Sequence, residues 1–333
     1  MTFSNKRAIS TSSLGLHASH TLDSKIRAAA YHSFTGIEIV YADLEAYGNT
    51  HKLDLAAAAD QVCQLCLQLG LQVLSLCPFE NFEGHNSPLQ DRLAKAAHWM
   101  DTARTLGAAY IQVPAQFGPD VTGDEAVVVS ELQKLADLGS AAEPVISIAY
   151  EPMSWSTFYS TWQDAVHLTE LVGRKNFKIC LDTFHIATKL WASPHDPSGK
   201  YPDADRRLAE DLRAFLKEFP MEKLAYIQLS DAERFDPPFS KQHSWYTEGE
   251  AAEFTWSKHA RPFSLEIENG GYLPVVDIVR AWVIDKGYEG WVSMETFDRR
   301  TRGEKVTTEQ CAVRAERSWK SLEKALSEPK SLL

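Results

Sequence analysis

The sequence has no long apolar run and no excess of positive charge. None of its apolar stretches approaches the roughly 18 residues of a membrane-spanning helix, and the N-terminal "MTFSNKRAISTSSLG" lacks the apolar core of a signal peptide. Lys and Arg number 34 against 45 Asp and Glu, which gives a formal net charge of −11. Such a balance argues against a nucleic-acid-binding surface. We therefore expect neither a membrane nor a nucleic acid as a partner.

Cysteine is scarce, and its spacing does not complete a zinc site. The chain has five cysteines, an odd number, and only Cys63 and Cys66 form a C-x-x-C pair. This pair lies inside "DLAAAADQVCQLCLQLG", a pattern typical of a helix with a buried face. Without a second pair, a redox or zinc role is disfavoured. We expect reduced thiols and a cytoplasmic protein.

Eight short strand-like runs alternate with longer helix-like segments along the chain. The runs are 8–13, 36–41, 71–76, 109–114, 145–150, 177–181, 224–229 and 290–294. Repeated strand–helix units imply parallel strands, and eight units predict an α/β fold of the (β/α)8 or TIM-barrel type. The alternative is a doubly wound open sheet, although no G-x-G-x-x-G follows the first run. We expect one domain over residues 1–333, with long active-site loops at 187–202 and 230–271.

The last four strand-like runs each end near a side chain that can bind a metal. These side chains are Glu151, Asp182, Gln228 and Glu295. Because side chains alternate across a strand, all four lie opposite the aliphatic residues and should point into the barrel mouth. Converging carboxylates repel one another unless a cation lies between them. The all-oxygen set predicts one divalent ion, magnesium or manganese first and cobalt next. The alternative, that each is a helix cap or a surface carboxylate, stays open.

His185 follows Asp182 by three residues in the segment "LDTFHI". A neutral imidazole is a suitable base for a proton on the carbon beside a metal-polarised carbonyl. A histidine that merely donates to a backbone carbonyl is the alternative. Next to the predicted metal ligands, the sequence favours His185 as the catalytic base.

Several motifs resemble a known family. The segment "LDTFH" is similar to the xylose-isomerase-like barrel superfamily, whose sugar isomerases and epimerases hold a divalent metal at the ends of strands five to eight. The narrower resemblance is to the fungal-type 3-dehydroshikimate dehydratases, in the same order over nearly the whole chain. It rests on "TLDSK" (21–25), "GIEIVYADL" (36–44), "PFENFEG" (78–84), "LDTFHIAT" (181–188), "QLSDAERFDPP" (228–238) and "GGYLPVVDI…GWVSMETF" (270–297).

The resemblance implies a hydro-lyase that converts 3-dehydroshikimate to protocatechuate and water in quinate or shikimate metabolism. It assigns the catalytic base to His185 and the metal ligands to Glu151, Asp182, Gln228 and Glu295. The small-molecule substrate carries a carboxylate that needs a cationic partner. Arg234 and Arg261 are the candidates for this contact.

Other functions and ligands are left open by the sequence. A sugar or keto-sugar isomerase or epimerase would use the same barrel, although sugar epimerases usually have histidine where this chain has Gln228. A non-catalytic binding protein is a third alternative, and Glu266 competes with Glu295 as a ligand. The sequence does not decide between a monomer and a homo-oligomer.

Overall fold

Eight parallel strands close into a barrel in the computed structural model, which describes residues 3–328. Each strand pairs with its neighbour in the chain, and the eighth pairs with the first. The strands are β1 Lys6–Ser10, β2 Gly36–Val40, β3 Gln72–Cys77, β4 Tyr110–Pro114, β5 Ser147–Glu151, β6 Phe177–Asp182, β7 Leu224–Leu229 and β8 Trp291–Met294. The predicted (β/α)8 barrel is confirmed.

The first strand begins and ends earlier than the predicted run 8–13. It begins at Lys6 and ends at Ser10, and residues Thr11–Leu14 form a 3₁₀ turn. The turn starts there because the Ser10 hydroxyl accepts a hydrogen bond from the Ser12 N–H and so caps the turn.

Helices surround the barrel, and most of them cover its aliphatic outer face. They are α1 Leu22–Tyr31, α2 Tyr41–His51, α3 Leu55–Gln68, α4 Leu89–Leu106, α5 Glu125–Ser140, α6 Trp162–Val172, α7 Thr183–Leu190, α8 Ala204–Glu218, α9 Ala252–His259, α10 Val275–Val279 and α11 Thr308–Ser327. The α10 helix continues as a π-helical segment, Arg280–Asp285. None of the helices within residues 3–328 is long and apolar enough to cross a bilayer.

The side-chain alternation of the strands divides the core into two parts. Outward-facing residues such as Ile37, Ile148 and Ile227 join the large apolar layer under the helices. A smaller cluster fills the barrel interior and includes Leu74 and Tyr226. These interior side chains fill the barrel beneath its carboxyl-terminal mouth. The polar side chains at the strand ends therefore lie above a packed core.

The long segment 230–271 is ordered and folds over the carboxyl ends of the strands. It contains α9 and a two-residue strand, Ala260–Arg261, that pairs antiparallel with Phe297–Asp298. The Asp231 carboxylate accepts hydrogen bonds from the backbone N–H groups of Leu265, Tyr272 and Leu273. These bonds tie the two ends of the segment together at the mouth.

Candidate active site at the barrel mouth

The structure brings the predicted metal-binding side chains together at the carboxyl ends of β5 to β8. Glu151 and Asp182 are the last residues of β5 and β6, Gln228 is next to last in β7, and Glu295 follows β8 directly. None of the four is more than 7% exposed. The register places Gln228 beside Asp182 across the β6–β7 pair. Because the strands pair in parallel, four residues that are distant in the sequence lie in one cluster.

Glu151, Asp182 and His185 form the tightest part of this cluster. One possible ligand atom from each lies within 4.8 Å of the other two. His185 Nε2 is 3.3 Å from Glu151 Oε1. His185 reaches the cluster because β6 ends at Asp182, where the carboxylate caps α7 by accepting the Phe184 N–H at 2.7 Å. The spacing of "LDTFH" therefore puts the imidazole in the first turn of a helix over the mouth.

Arg261 enters the same cluster from the covering segment. Its guanidinium donates to the carboxylates of Asp182 and Glu295, the latter at 3.0 Å. Its remaining N–H groups donate to the hydroxyls of Ser230 at 2.8 Å and Ser257 at 3.2 Å. The short ribbon places Arg261 opposite Phe297, only two residues beyond Glu295.

A further buried acid, Glu38 of β2, joins the cluster through Gln228. Gln228 Nε2 donates to Glu295 Oε1 at 3.0 Å and to Glu38 Oε2 at 3.2 Å. Glu38 is fully buried and also accepts hydrogen bonds from Ser75 and Ser293. The cluster is thus one connected network that extends into the barrel.

The site contains more acidic than basic side chains. Four buried carboxyl groups, Glu38, Glu151, Asp182 and Glu295, share the mouth with the Arg261 guanidinium. Burial, reinforced by the neighbouring Asp182, raises the pKa of Glu151 to about 8. Burial also raises the pKa of Glu38 and holds that of Glu295 well above its usual value. A divalent cation would stabilise the ionised forms that burial disfavours.

The donor set fits such a cation. Glu151 Oε1 is buried and has no hydrogen-bond partner among residues 3–328. Its other oxygen accepts from Gln112 Nε2, which fixes the carboxylate. Carboxylate and amide oxygens suit magnesium or manganese, and one imidazole nitrogen at the edge also admits softer ions. The buried acids and histidine therefore form a centre that can hold a metal.

An aromatic shell surrounds His185. The Trp155 ring lies edge-on to the imidazole with centroids 4.7 Å apart, and Phe254 of α9 packs on Trp155 at 5.2 Å. Burial lowers the pKa of His185 to about 3, so the ring is neutral at pH 7. The Ser154 N–H donates to His185 Nδ1 at 3.2 Å. This bond favours the neutral tautomer with its proton on Nε2.

The two candidate arginines have different environments. Arg261 is buried in the cluster, whereas Arg234 is exposed and packs beside Gly199. The structure does not bring Arg234 to the carboxylates. Glu266 also lies apart, because both of its oxygens accept from Arg314. Of the two competing acids, the structure places only Glu295 in the cluster.

Sequence reasoning missed Glu38 and Gln112, which lie on the early strands. Both interrupt aliphatic strands, in "GIEIV" and "YIQVP". A polar residue flanked by two β-branched residues points to the opposite face from them. The alternation of side chains along these two strands therefore predicts that both polar groups point into the barrel.

Comparison with known proteins agrees with this architecture. The model of the family described as xylose isomerase-like TIM barrel matches residues 26–319. A 3-dehydroshikimate dehydratase of Neurospora crassa is 37% identical over 342 residues, covering 98% of this chain and 95% of that protein. A 3-dehydroshikimate dehydratase of Pseudomonas aeruginosa is 29% identical, covering 88% of this chain but only 38% of its own length.

Among solved structures, a xylose isomerase-like TIM barrel/4-hydroxyphenylpyruvate dioxygenase fusion protein superimposes with a TM-score of 0.73. It is 26% identical, and the match covers 97% of this chain and 43% of that protein. The match thus covers less than half of these two longer proteins and nearly all of the fungal one. It belongs to the xylose isomerase-like TIM barrel family and, within it, groups with the 3-dehydroshikimate dehydratases represented by the Neurospora protein.

Proposed function

We propose that this protein is a metal-dependent 3-dehydroshikimate dehydratase that releases protocatechuate and water. The observation that carries the proposal is the buried cluster of Glu151, Asp182, Gln228 and Glu295 with His185 at its edge. The near full-length similarity to a dehydratase of that name supports the substrate. The four clustered residues are the proposed ligands of one divalent ion, magnesium or manganese.

A divalent ion bound there supplies polarisation of the substrate ketone, which acidifies the adjacent C–H bond. His185 is the proposed base, and Nε2 is its nitrogen that faces the carboxylates. For Nε2 to accept a proton, the neutral ring must carry its own proton on Nδ1. Substrate binding must therefore break the 3.2 Å bond from the Ser154 N–H or turn the ring.

Proton removal and loss of the β-hydroxyl give a ring double bond, and the hydroxide leaves with the bonding electron pair. The proton taken by His185 can return to that hydroxide, so that one water is released. Tautomerisation to the aromatic ring makes the overall reaction favourable. Trp155 packs on the imidazole and Phe254 packs on Trp155, and burial keeps the ring neutral, which is the form that can accept a proton.

Arg261 is the proposed partner of the substrate carboxylate. It is the arginine that lies in the cluster, and a planar guanidinium can bind a carboxylate with two parallel hydrogen bonds. Its N–H groups donate to Asp182, Glu295, Ser230 and Ser257. Binding the substrate therefore requires an exchange of at least one of these contacts.

An absorbance assay tests the reaction. Protein incubated with 3-dehydroshikimate and Mn²⁺ should produce the ultraviolet band of an aromatic catechol acid. A flat absorbance trace with metal present would contradict the proposal. Parallel incubation with keto-sugars, followed by chromatography, would reveal an isomerase or epimerase on the same barrel.

A further inference from the structure

Glu38 is a buried carboxylate in the middle of β2 whose described hydrogen-bond partners are all donors. It accepts from Ser75 Oγ at 2.9 Å, from Ser293 Oγ, and from Gln228 Nε2 at 3.2 Å and 3.3 Å. Within residues 3–328 no Lys, Arg or His forms an ion pair with it. A neighbourhood made up of donors suits a carboxylate, whose oxygens accept hydrogen bonds.

The barrel does not need an acid at this position for its packing. Glu38 lies between Ile37 and Ile39, and its side chain is 0% exposed. Burying a carboxyl group without a cationic partner costs free energy, whereas an apolar residue would fill the same interior without that cost. A locally unfavourable residue of this kind is typical of a functional site.

Its principal contact is the amide of Gln228. The oxygen and nitrogen ends of an amide have nearly the same shape, but only the oxygen can bind a cation. Gln228 Nε2 donates to both Glu38 and Glu295. Exchanging the two ends would turn Oε1 against two carboxylates, so the acids select one orientation. Within the described part of the chain, Oε1 itself accepts only from the Cys180 thiol at 3.3 Å, a weak donor.

We propose that Glu38 is a positioning residue that holds the NH₂ group of Gln228 and so reserves Oε1 for the metal. The inference rests on the proposed metal site and adds a role for β2 to it. Glu38 acts through Gln228, and Ser75 and Ser293 fix the carboxylate in turn. Residues that orient a ligand in this way typically contribute about 10- to 100-fold to metal affinity.

The test is a calorimetric titration of the metal-depleted full chain with MnCl₂, for the wild type and Glu38→Gln. A glutamine at 38 accepts or donates equally well, so it no longer selects the orientation of Gln228. We expect Mn²⁺ affinity to fall by about 10- to 100-fold. The thermal midpoint of the metal-free variant should stay equal or rise, because a buried carboxylate is removed. A merely structural residue would instead lower the midpoint.

Two further variants separate contact from charge. Glu38→Asp keeps the charge but shortens the side chain by one methylene, so it should also weaken Mn²⁺ binding. Glu83→Gln is the matched control, since Glu83 is a buried carboxylate that accepts from Tyr150 and the Gln116 N–H outside the cluster. Its Mn²⁺ affinity should equal that of the wild type.

Wild-type affinity in Glu38→Gln or in Glu38→Asp would overturn the positioning role while leaving the metal site standing. An equal loss in Glu83→Gln would also overturn it, because the effect would not depend on contact with Gln228. A wild-type protein that binds no Mn²⁺ would contradict the metal site as well. The two failures are therefore distinguishable.

Discussion

At the scale of single residues, the candidate site combines a neutral imidazole with a hydrogen-bonded set of acids. His185 packs against Trp155 and lies 3.3 Å from Glu151. Burial lowers its pKa to about 3, which keeps the imidazole unprotonated over the physiological pH range. A neutral imidazole carries a free lone pair on one ring nitrogen, as the proposed role of His185 requires.

Replacing His185 by Gln should therefore remove proton transfer without removing the site. We expect kcat to fall by about 100- to 10,000-fold, while Mn²⁺ affinity changes little because the four proposed ligands remain. Steady-state kinetics on 3-dehydroshikimate and Mn²⁺ titration together check this. His243→Gln, on the covering segment outside the carboxylate cluster, is the control. Activity at the wild-type level in His185→Gln would exclude this base.

Arg261 is the guanidinium that compensates Asp182 and Glu295. Arg261→Gln should destabilise the metal-free protein by about 3–5 kcal/mol, because two buried carboxylates lose their partner. Added Mn²⁺ should recover part of this loss, since the ion compensates the same oxygens. Urea unfolding with and without Mn²⁺ measures both effects.

The matched control is Arg206→Gln on α8, an exposed arginine paired with Glu210. Its unfolding free energy should change by less than about 0.5 kcal/mol. An Arg261→Gln protein as stable as this control would show that Arg261 does not hold the acids together.

At the scale of elements, the segment 230–271 connects the outer surface to the site. It carries Arg261 into the cluster and places Phe254 over Trp155. Its conformation depends on Asp231, which is 1% exposed and accepts N–H groups from both ends of the segment. One carboxylate thus orders the elements that cover the candidate site.

Asp231→Asn should loosen this segment, because an amide cannot accept from all of these N–H groups. We expect a loss of stability of about 1–3 kcal/mol and faster amide hydrogen exchange around Leu265 and Leu273. Hydrogen-exchange mass spectrometry measures the second effect directly. Asp236→Asn in an exposed part of the same segment is the control. Identical exchange in the two variants would mean that Asp231 does not anchor the cover.

The first and last helices are also joined by a titratable contact. His32, the C-cap of α1, lies 2.7 Å from both Glu309 and Glu316 of α11. Burial opposes protonation of His32, but the hydrogen bonds and charges of the two glutamates outweigh it and raise the pKa. A raised folded-state pKa stabilises the protein below the ordinary value of about 6.5, and the contribution disappears as pH rises through the folded pKa.

His32→Gln should consequently cost more stability at about pH 6 than at about pH 9. Urea unfolding of wild type and variant at the two pH values gives the comparison. An equal difference at both pH values would show that the α1–α11 contact does not involve the charged imidazole.

At the scale of the whole molecule, the sequence was sufficient to predict the barrel and the polar side chains at the ends of β5 to β8. All eight strands overlap the predicted apolar runs, because period-two alternation and flanking turns mark the strands of the barrel. Glu151, Asp182, Gln228 and Glu295 meet because barrel closure aligns the ends of successive strands. The assignment of residues 1–333 to a single domain stays a prediction.

The rest depended on packing that no local pattern encodes. Arg234 and Arg261 lie in the same long segment and have the same chemistry, and only the docking of α9 and the short ribbon sends Arg261 inward. To predict the role of Glu38, one must know that it faces Gln228 of β7 across the barrel. These two residues are 190 positions apart in the sequence. Contacts across the barrel depend on closure and strand stagger, which the pattern of one strand does not contain.

The central claim is that the clustered acids and amide bind one divalent ion that makes the substrate proton removable. Its most direct test is the metal-depleted full chain assayed on 3-dehydroshikimate, before and after Mn²⁺, Mg²⁺ or Co²⁺ is restored. We expect negligible formation of the aromatic product without metal and recovery when at least one of these ions is added. Full activity of rigorously metal-free protein would contradict it.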